Sequence, residues 1–291
     1  MPPAARYKAI VELHSRHLAF FDAFTPNALE FIRVMETTGA IITGPALIHS
    51  LLDGFTRRSM TASRSRPYVF LVPETTFPVF RNYVATATRA ETVHAGLVLP
   101  QDAALFKRYA VMESTAACFE VLSVMGHTVT LPLATDNVNY TFNFISARAL
   151  CVAYPWSLHN RFTLTREQGG VNFHRATEEQ EKQFHADNSR CVHMTNSNLD
   201  NIPDSAHLGQ GMCQGQPRFF GDSDGLTLYF THSISANNDR SGPLPRWVGE
   251  EVTRNRTTQW VWGGDGCSET QGPFLISSLT EMAHDKDTPL Y

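Results

Sequence analysis

The most regular part of the sequence begins at residues 39–45, which read GAIITGP. Residues 40–43 are a short apolar run of the kind that forms a buried strand, and Gly44 supplies a turn. Pro45 follows at the first position of a helix, where proline is favoured. The apolar residues as far as Leu52 then recur at helical spacing, so we expect a strand, a turn and a helix in direct succession.

The alternation of strands and helices continues beyond this segment. Residues 68–72 (YVFLV) are a second apolar run and predict another buried strand. An amphipathic helix is expected from about residue 75 to residue 87. Residues 118–124 (CFEVLSV) predict a third core strand. Strands that alternate with helices indicate a sheet whose faces are covered by helices.

Two helices are expected on the N-terminal side of this region. The apolar residues of segment 4–24 recur at three- and four-residue spacing and share one helical face. A second helix carries Leu29, Ile32 and Met35 inward and ends at Gly39, a residue type that favours the helix C-terminus. Helices therefore precede the first strand.

A change in composition near residue 165 indicates two parts of the chain. Residues 1–165 are expected to form an α/β core, and residues 166–291 a less regular α+β region that packs on this core. Residues 136–154 fit both a strand and a helix, and the length of the segment favours a helix. The predicted fold class is α+β, with a small mixed sheet flanked by helices.

Composition limits the function classes that fit the chain. Of its 291 residues, 42% are hydrophobic and 18% are charged, and the net charge is −4. An acidic balance argues against wholesale binding to nucleic acid or to acidic membranes. No apolar run approaches the ~18 residues that span a bilayer, and five scattered cysteines without a CxxC pair indicate reduced thiols. We expect an intracellular, most simply cytoplasmic, protein without a membrane segment.

The strand, turn and helix at residues 39–45, followed by a strand that ends at Pro73, resemble the nucleotidyltransferase fold of the polymerase-beta type. Residues 143–155 (NFISARALCVAYP) are similar to a segment of the uncharacterised nucleotidyltransferase-like proteins of mushroom-forming fungi. The resemblance covers residues 28–165. It implies a nucleotidyltransferase-like fold in the N-terminal half of the chain.

The resemblance also implies where a catalytic site would lie. In an active member, a glycine-serine pair at the helix start binds a triphosphate, and two aspartates on the next strand hold Mg²⁺. Here Gly44 is followed by Pro45, and the two aspartate positions fall at Pro67 and Val69. Glu120 matches the third carboxylate of a two-metal site, but one carboxylate cannot hold two magnesium ions. The resemblance therefore implies a pseudoenzyme with a degenerate active site.

A basic segment at residues 57–66 could contact phosphate. It contains four arginines and no acid, and arginine forms bidentate hydrogen bonds with phosphate. With Gly44, the candidate phosphate-binding residues are Arg57, Arg58, Arg64 and Arg66. For these residues a solvated loop without a ligand is the first interpretation, and phosphate binding is the second.

Two patterns in the second half of the chain could bind metal. Asp222 and Asp224 precede a predicted strand at residues 226–230 and would project from one face. An Asp/Gly cluster in this place is first a turn signal, so the turn is favoured and a metal site is second. Cys191, His193 and Cys213 do not have the spacing of a standard zinc finger, which makes a zinc site the weaker prediction.

These observations favour a non-catalytic intracellular binding or interaction protein that needs no cofactor. Its partner would be a nucleotide, a phosphorylated small molecule or another protein. The alternative is an active magnesium-dependent nucleotidyltransferase whose carboxylates come from Glu120 together with Glu113, Asp136 or the Asp222/Asp224 pair.

Overall fold

A computed structural model of the chain describes residues 17–52, 67–98, 105–125, 128–135, 142–155, 162–166, 190–194, 218–222, 225–230, 258–261 and 275–278. The helices are α1 (which includes residues 17–22), α2 (Ala28–Thr38), α3 (Pro45–Leu52), α4 (Phe77–Thr88) and α5 (Leu131–Thr135). The strands of the first half are β1 (Ile41–Thr43), β2 (Tyr68–Pro73), β3 (Glu91–Leu97), β4 (Phe106–Glu113), β5 (Cys118–Val124), β6 (Asn143–Ile145) and β7 (Ala149–Val152). Those of the second half are β8 (Phe162–Arg166), β9 (Arg190–Met194), β10 (Arg218–Phe219), β11 (Leu226–Tyr229), β12 (Thr258–Val261) and β13 (Leu275–Ser278).

The main sheet of the fold is mixed and has eight strands, in the order β11-β7-β6-β1-β2-β5-β4-β3. Strand β2 runs antiparallel to β1 and parallel to β5, and β4 runs antiparallel to both β5 and β3. The predicted α+β class with a mixed sheet is confirmed, but the prediction of a small sheet is wrong. Strands β10, β12 and β13 form a second sheet, and β8 and β9 form a parallel pair.

The chain divides into two compact units that alternate along the sequence. The first consists of Met1–Val129, Phe144–Leu150 and Leu228–Pro245. The second consists of Thr130–Asn143, Cys151–Thr227 and Arg246–Tyr291. Because the units interleave, a residue's place in the sequence does not by itself tell to which unit it belongs.

The core of the first unit is an aromatic cluster between helices and sheet. Side chains of α1, α2 and α4 meet those of β2 and β5 there, and the fully buried rings include Phe20, Phe21, Phe31, Tyr68, Phe70, Phe80 and Phe119. The ring centroids of Phe70 and Phe80 are 5.1 Å apart, which joins β2 to α4. Burying one such ring contributes roughly 1.5–3 kcal/mol, so the cluster as a whole contributes strongly to the stability of the unit.

Helix α2 shows how the ends of an element are set by particular residues. The Asn27 side chain accepts a hydrogen bond from the Glu30 amide at 3.2 Å, which caps the N-terminus. Gly39 ends the helix in the left-handed conformation, with φ of 72°. Ile32 and Met35 are buried as predicted, but the prediction for Leu29 is wrong because this side chain is 51% exposed.

The helix predicted over residues 136–154 is wrong for the part that the structure describes, residues 142–155. These residues form β6 and β7, which are joined by a tight turn. The Ser146 hydroxyl accepts hydrogen bonds from the amides of Arg148 and Ala149, at 3.1 and 2.9 Å. Both strands are buried on both faces, so their apolar residues follow no period-two pattern and resemble a buried helix in sequence.

Candidate functional site

The turn between β1 and α3 is the starting point of the candidate site. Gly44 has φ of +84°, a left-handed conformation that side chains other than glycine rarely adopt. A Cβ at this position would lie 2.6 Å from Cγ2 of Val69. Two features therefore require glycine at position 44: the left-handed backbone conformation and the close approach of β2.

A row of four side-chain positions crosses the sheet beside this turn. Thr43 of β1 pairs with Val69 of β2, Val69 pairs with Glu120 of β5, and Glu120 pairs with Val111 of β4. Residues directly opposite each other project from the same face of a sheet. The row therefore places one carboxylate, that of Glu120, next to the valine that contacts the Gly44 turn.

The environment of Glu120 disfavours its ionised form. Burial raises the pKa of its carboxyl group above the ordinary value of 4.5. The neighbours of Glu120 across the sheet are valines, which supply no hydrogen bond to a carboxylate. This group is a titratable side chain in an apolar setting, as is common at functional sites.

A cysteine and a second glutamate share this face of β5 and β4. Cys118 lies two residues before Glu120 on β5 and pairs with Glu113 of β4. Burial raises the pKa of the Cys118 thiol, and the charges of Glu120 and Glu113 raise it further. The thiol is therefore held protonated, which makes it a poor nucleophile.

Within the second unit, Asp222 forms an ion pair with Arg218. Its carboxylate accepts two hydrogen bonds from the Arg218 guanidinium, one of them at 3.0 Å from Nη2 to Oδ1. The backbone amides of Gly225 and Phe219 donate to the same carboxylate at 2.8 and 3.3 Å. Both oxygens are thus engaged in the turn that leads into β11, and a metal ion at Asp222 would have to displace Arg218.

Arg218 is the centre of a buried polar network that sequence reasoning did not find. Its Nη2 donates to the carbonyl oxygen of Ala153 at 2.7 Å, and the guanidinium lies 4.8 Å from the centre of the Tyr154 ring. The Tyr154 hydroxyl accepts a hydrogen bond from Trp260 Nε1 at 2.8 Å. Burial raises the pKa of this tyrosine, so its hydroxyl stays protonated. These contacts give Arg218 a structural role in the unit.

Several predicted site residues lie outside the described residues. They are the four arginines of segment 57–66, Asp136, Asp224 and Cys213. Cys191 and His193 belong to β9, of which the structure describes the backbone. Among the described residues, no group of three or more His, Cys, Asp or Glu side chains could hold a metal ion.

Comparisons with protein-family models, with curated proteins and with solved structures give no significant match to this chain. No helix within the described residues is long and apolar enough to cross a membrane. Neither Cys118 nor Cys151 forms a disulfide. The residues around Gly44 and Glu120 remain the best-defined candidate site.

Proposed function

We propose that this chain is a non-catalytic intracellular binding or interaction protein with a nucleotidyltransferase-like core that has lost its chemistry. The observation that carries the proposal is the contact between Val69 and the Gly44 turn. Val69 stands at one of the two positions where the resemblance implies a metal-binding aspartate, and its side chain is apolar.

The electrostatics of the row support the absence of turnover. Two-metal catalysis of phosphoryl transfer needs several carboxylates that stay ionised and converge on the ions. The row Thr43–Val69–Glu120–Val111 contains one carboxylate, and burial favours its protonated form. One carboxylate whose ionised form is disfavoured by burial is a weaker ligand for a hard divalent cation than a cluster of ionised carboxylates.

Binding without turnover would use the turn and the arginines near it in sequence. Helix α3 begins directly after Gly44, and the positive end of its dipole favours an anion. Arg57, Arg58, Arg64 and Arg66 follow this helix along the chain and supply the matching positive charge. The ligand class is a nucleotide or a phosphorylated small molecule, bound without a metal cofactor.

The test is unfolding of the full chain with each nucleoside triphosphate, once with magnesium and once with EDTA. A ligand at about one hundred times its dissociation constant adds roughly 2.7 kcal/mol to the stability of the native state. We expect the same shift in both conditions for the nucleotide that binds. The double variant Arg57→Gln/Arg58→Gln should lose the shift. The control Arg33→Gln/Arg81→Gln makes the same change in net charge on α2 and α4 and should keep it.

The second candidate function is a magnesium-dependent nucleotidyltransferase with a rebuilt metal site. It is favoured by the two glutamates, Glu113 and Glu120, whose charges both act on the Cys118 thiol. In this case the nucleotide shift would require magnesium and would disappear in Glu120→Gln and in Glu113→Gln. Magnesium-dependent incorporation of labelled nucleotide would contradict the non-catalytic proposal directly.

A further inference from the structure

Strand β3 is the outer strand of the eight-stranded sheet, and it is exposed along its whole length. Every residue from Glu91 to Leu97 is exposed, although the strand alternates between the two faces of the sheet. Strand β4 is its one partner among the described residues. Leu97 is 72% exposed and Val93 is 48% exposed, which puts two large apolar side chains on this edge. Exposed edges of this kind pair readily with another strand.

The direction of the backbone groups identifies which residues can form such a pair. The Val98 amide donates to the Lys107 carbonyl at 3.1 Å, so Val98 points its backbone groups toward β4. Along a regular antiparallel strand these directions alternate. Gly96 therefore faces β4, while Ala95 and Leu97 direct their amides and carbonyls outward. The bulge in β3 lies between Thr92 and His94 and leaves this part of the strand regular.

The arrangement of the outward residues is symmetric about Gly96. If a second β3 strand runs antiparallel with Gly96 on a two-fold axis, Ala95 of each copy lies opposite Leu97 of the other. This register forms two hydrogen-bonded pairs, each with two backbone bonds, and covers the exposed Leu97 side chain with an apolar neighbour. Gly96 has no side chain, so nothing projects at the two-fold axis from the opposite face of the sheet. On that face the Tyr109 ring lies 3.3 Å from where a Cβ of Gly96 would be.

Charge favours a second copy of the chain over a charged partner strand. No aspartate, glutamate, lysine or arginine occurs in residues 94–98. Two identical strands therefore meet without the repulsion that directly opposite like charges produce. A closed two-fold contact is also the commonest way in which one surface of a protein binds itself.

We propose that β3 pairs antiparallel with β3 of a second copy of this chain, about a two-fold axis at Gly96. The pairing joins two eight-stranded sheets through their outer strands. It needs neither nucleotide nor metal, so it stands apart from the proposed ligand site.

The test measures the mass of the full chain by sedimentation at micromolar and at sub-millimolar concentration. We expect a species of twice the 32.5 kDa chain mass that dissociates on dilution. Leu97→Pro removes one outward amide but no bond to β4, and Leu97→Lys places like charges in the contact. Both variants should remain monomeric at the higher concentration. Leu29→Lys changes another exposed leucine, on α2, and should dimerise as the wild type does.

Hydrogen exchange gives a second readout that does not depend on a variant. The amides of Ala95 and Leu97 should exchange more slowly at the higher concentration, while the Met125 amide, bonded to Leu105 at 2.9 Å, should be unaffected. A wild-type chain that stays monomeric at both concentrations would overturn the proposal. A dimer that persists in Leu97→Pro and Leu97→Lys, or that is lost in Leu29→Lys, would also overturn it.

Discussion

Replacing Asp222 with asparagine should strongly destabilise the second unit, because Arg218 would remain buried without its counter-charge. Arg218 is 2% exposed, and the carboxylate of Asp222 accepts two hydrogen bonds from it and two from backbone amides. Asparagine keeps the size of the side chain and one acceptor oxygen, but it turns an NH₂ group toward these donors. Removing one partner of a buried ion pair costs about 3–5 kcal/mol, so a loss of this size in the free energy of unfolding is expected.

Two controls separate this effect from a general loss of charge. Glu36→Gln breaks the ion pair with Arg148, and Glu74→Gln breaks the one with Lys107. These four side chains are between 28% and 45% exposed, so each change should cost less than about 1 kcal/mol. Urea unfolding is monitored by circular dichroism, which reports both units, and by tryptophan fluorescence, which follows the second unit because Trp260 is buried there beside Tyr154.

A double variant tests whether the cost comes from the unpaired charge. Arg218→Met together with Asp222→Asn removes both charges and should recover part of the stability that Asp222→Asn alone loses. The reasoning would be refuted if Asp222→Asn cost no more than Glu36→Gln, since the buried pair would then behave like an exposed one.

Three further substitutions test the first unit. Burial raises the pKa of Glu120, so the folded state binds its proton more tightly than the unfolded state does. The contribution of Glu120 to stability should therefore fall as pH rises above 4.5, and Glu120→Gln should gain stability at neutral pH but not below 4.5. Equal gains at both pH values in urea unfolding would refute this. Ser123→Ala should be neutral or stabilising by up to about 1 kcal/mol, because the buried Ser123 hydroxyl has no hydrogen-bond partner among the described residues. Ser50→Ala removes the bond from the Ser50 hydroxyl to the Ala46 carbonyl at 2.9 Å and should not stabilise. Gly44→Ala should cost more than about 2 kcal/mol, from the strained φ and the contact with Val69, and should exceed Gly39→Ala in a thermal melt.

The central elements of the first unit could be predicted from the sequence because their local signals agree. Strands β1, β2 and β5 are short apolar runs, and Gly44 and Pro45 mark the turn and the helix start between β1 and α3. Apolar runs of four to seven residues with turn residues at their ends are the clearest signature of buried strands. The predicted helix at residues 75–87 is confirmed as α4, with a shift of one or two residues at its ends.

Other elements could not be predicted, for identifiable reasons. Strand β3 is exposed on both faces and contains a bulge, so it has no alternating pattern to detect. The β6–β7 turn depends on the hydroxyl of Ser146, a residue type that is common in loops and helix ends alike. Because these strands could not be predicted, the sheet expected from the sequence has fewer than its eight strands.

The candidate site depends on pairing between distant strands. The sequence singled out Gly44, Val69 and Glu120 one by one, and the register of β1, β2 and β5 places them in one row. Register is set by the packing of whole strands and is not encoded in the spacing of a few residues. The same holds for Arg218 and Asp222, whose role depends on Tyr154 and Trp260 from other segments.

The most direct test of the non-catalytic proposal is an assay for incorporation of labelled nucleotide by the full chain with magnesium. Each nucleoside triphosphate is offered with nucleic acid, protein and small-molecule acceptors, and EDTA and Glu120→Gln serve as controls. The proposal predicts the same background signal in all three cases. Magnesium-dependent incorporation that disappears in Glu120→Gln would contradict it and would assign the row beside Gly44 to catalysis.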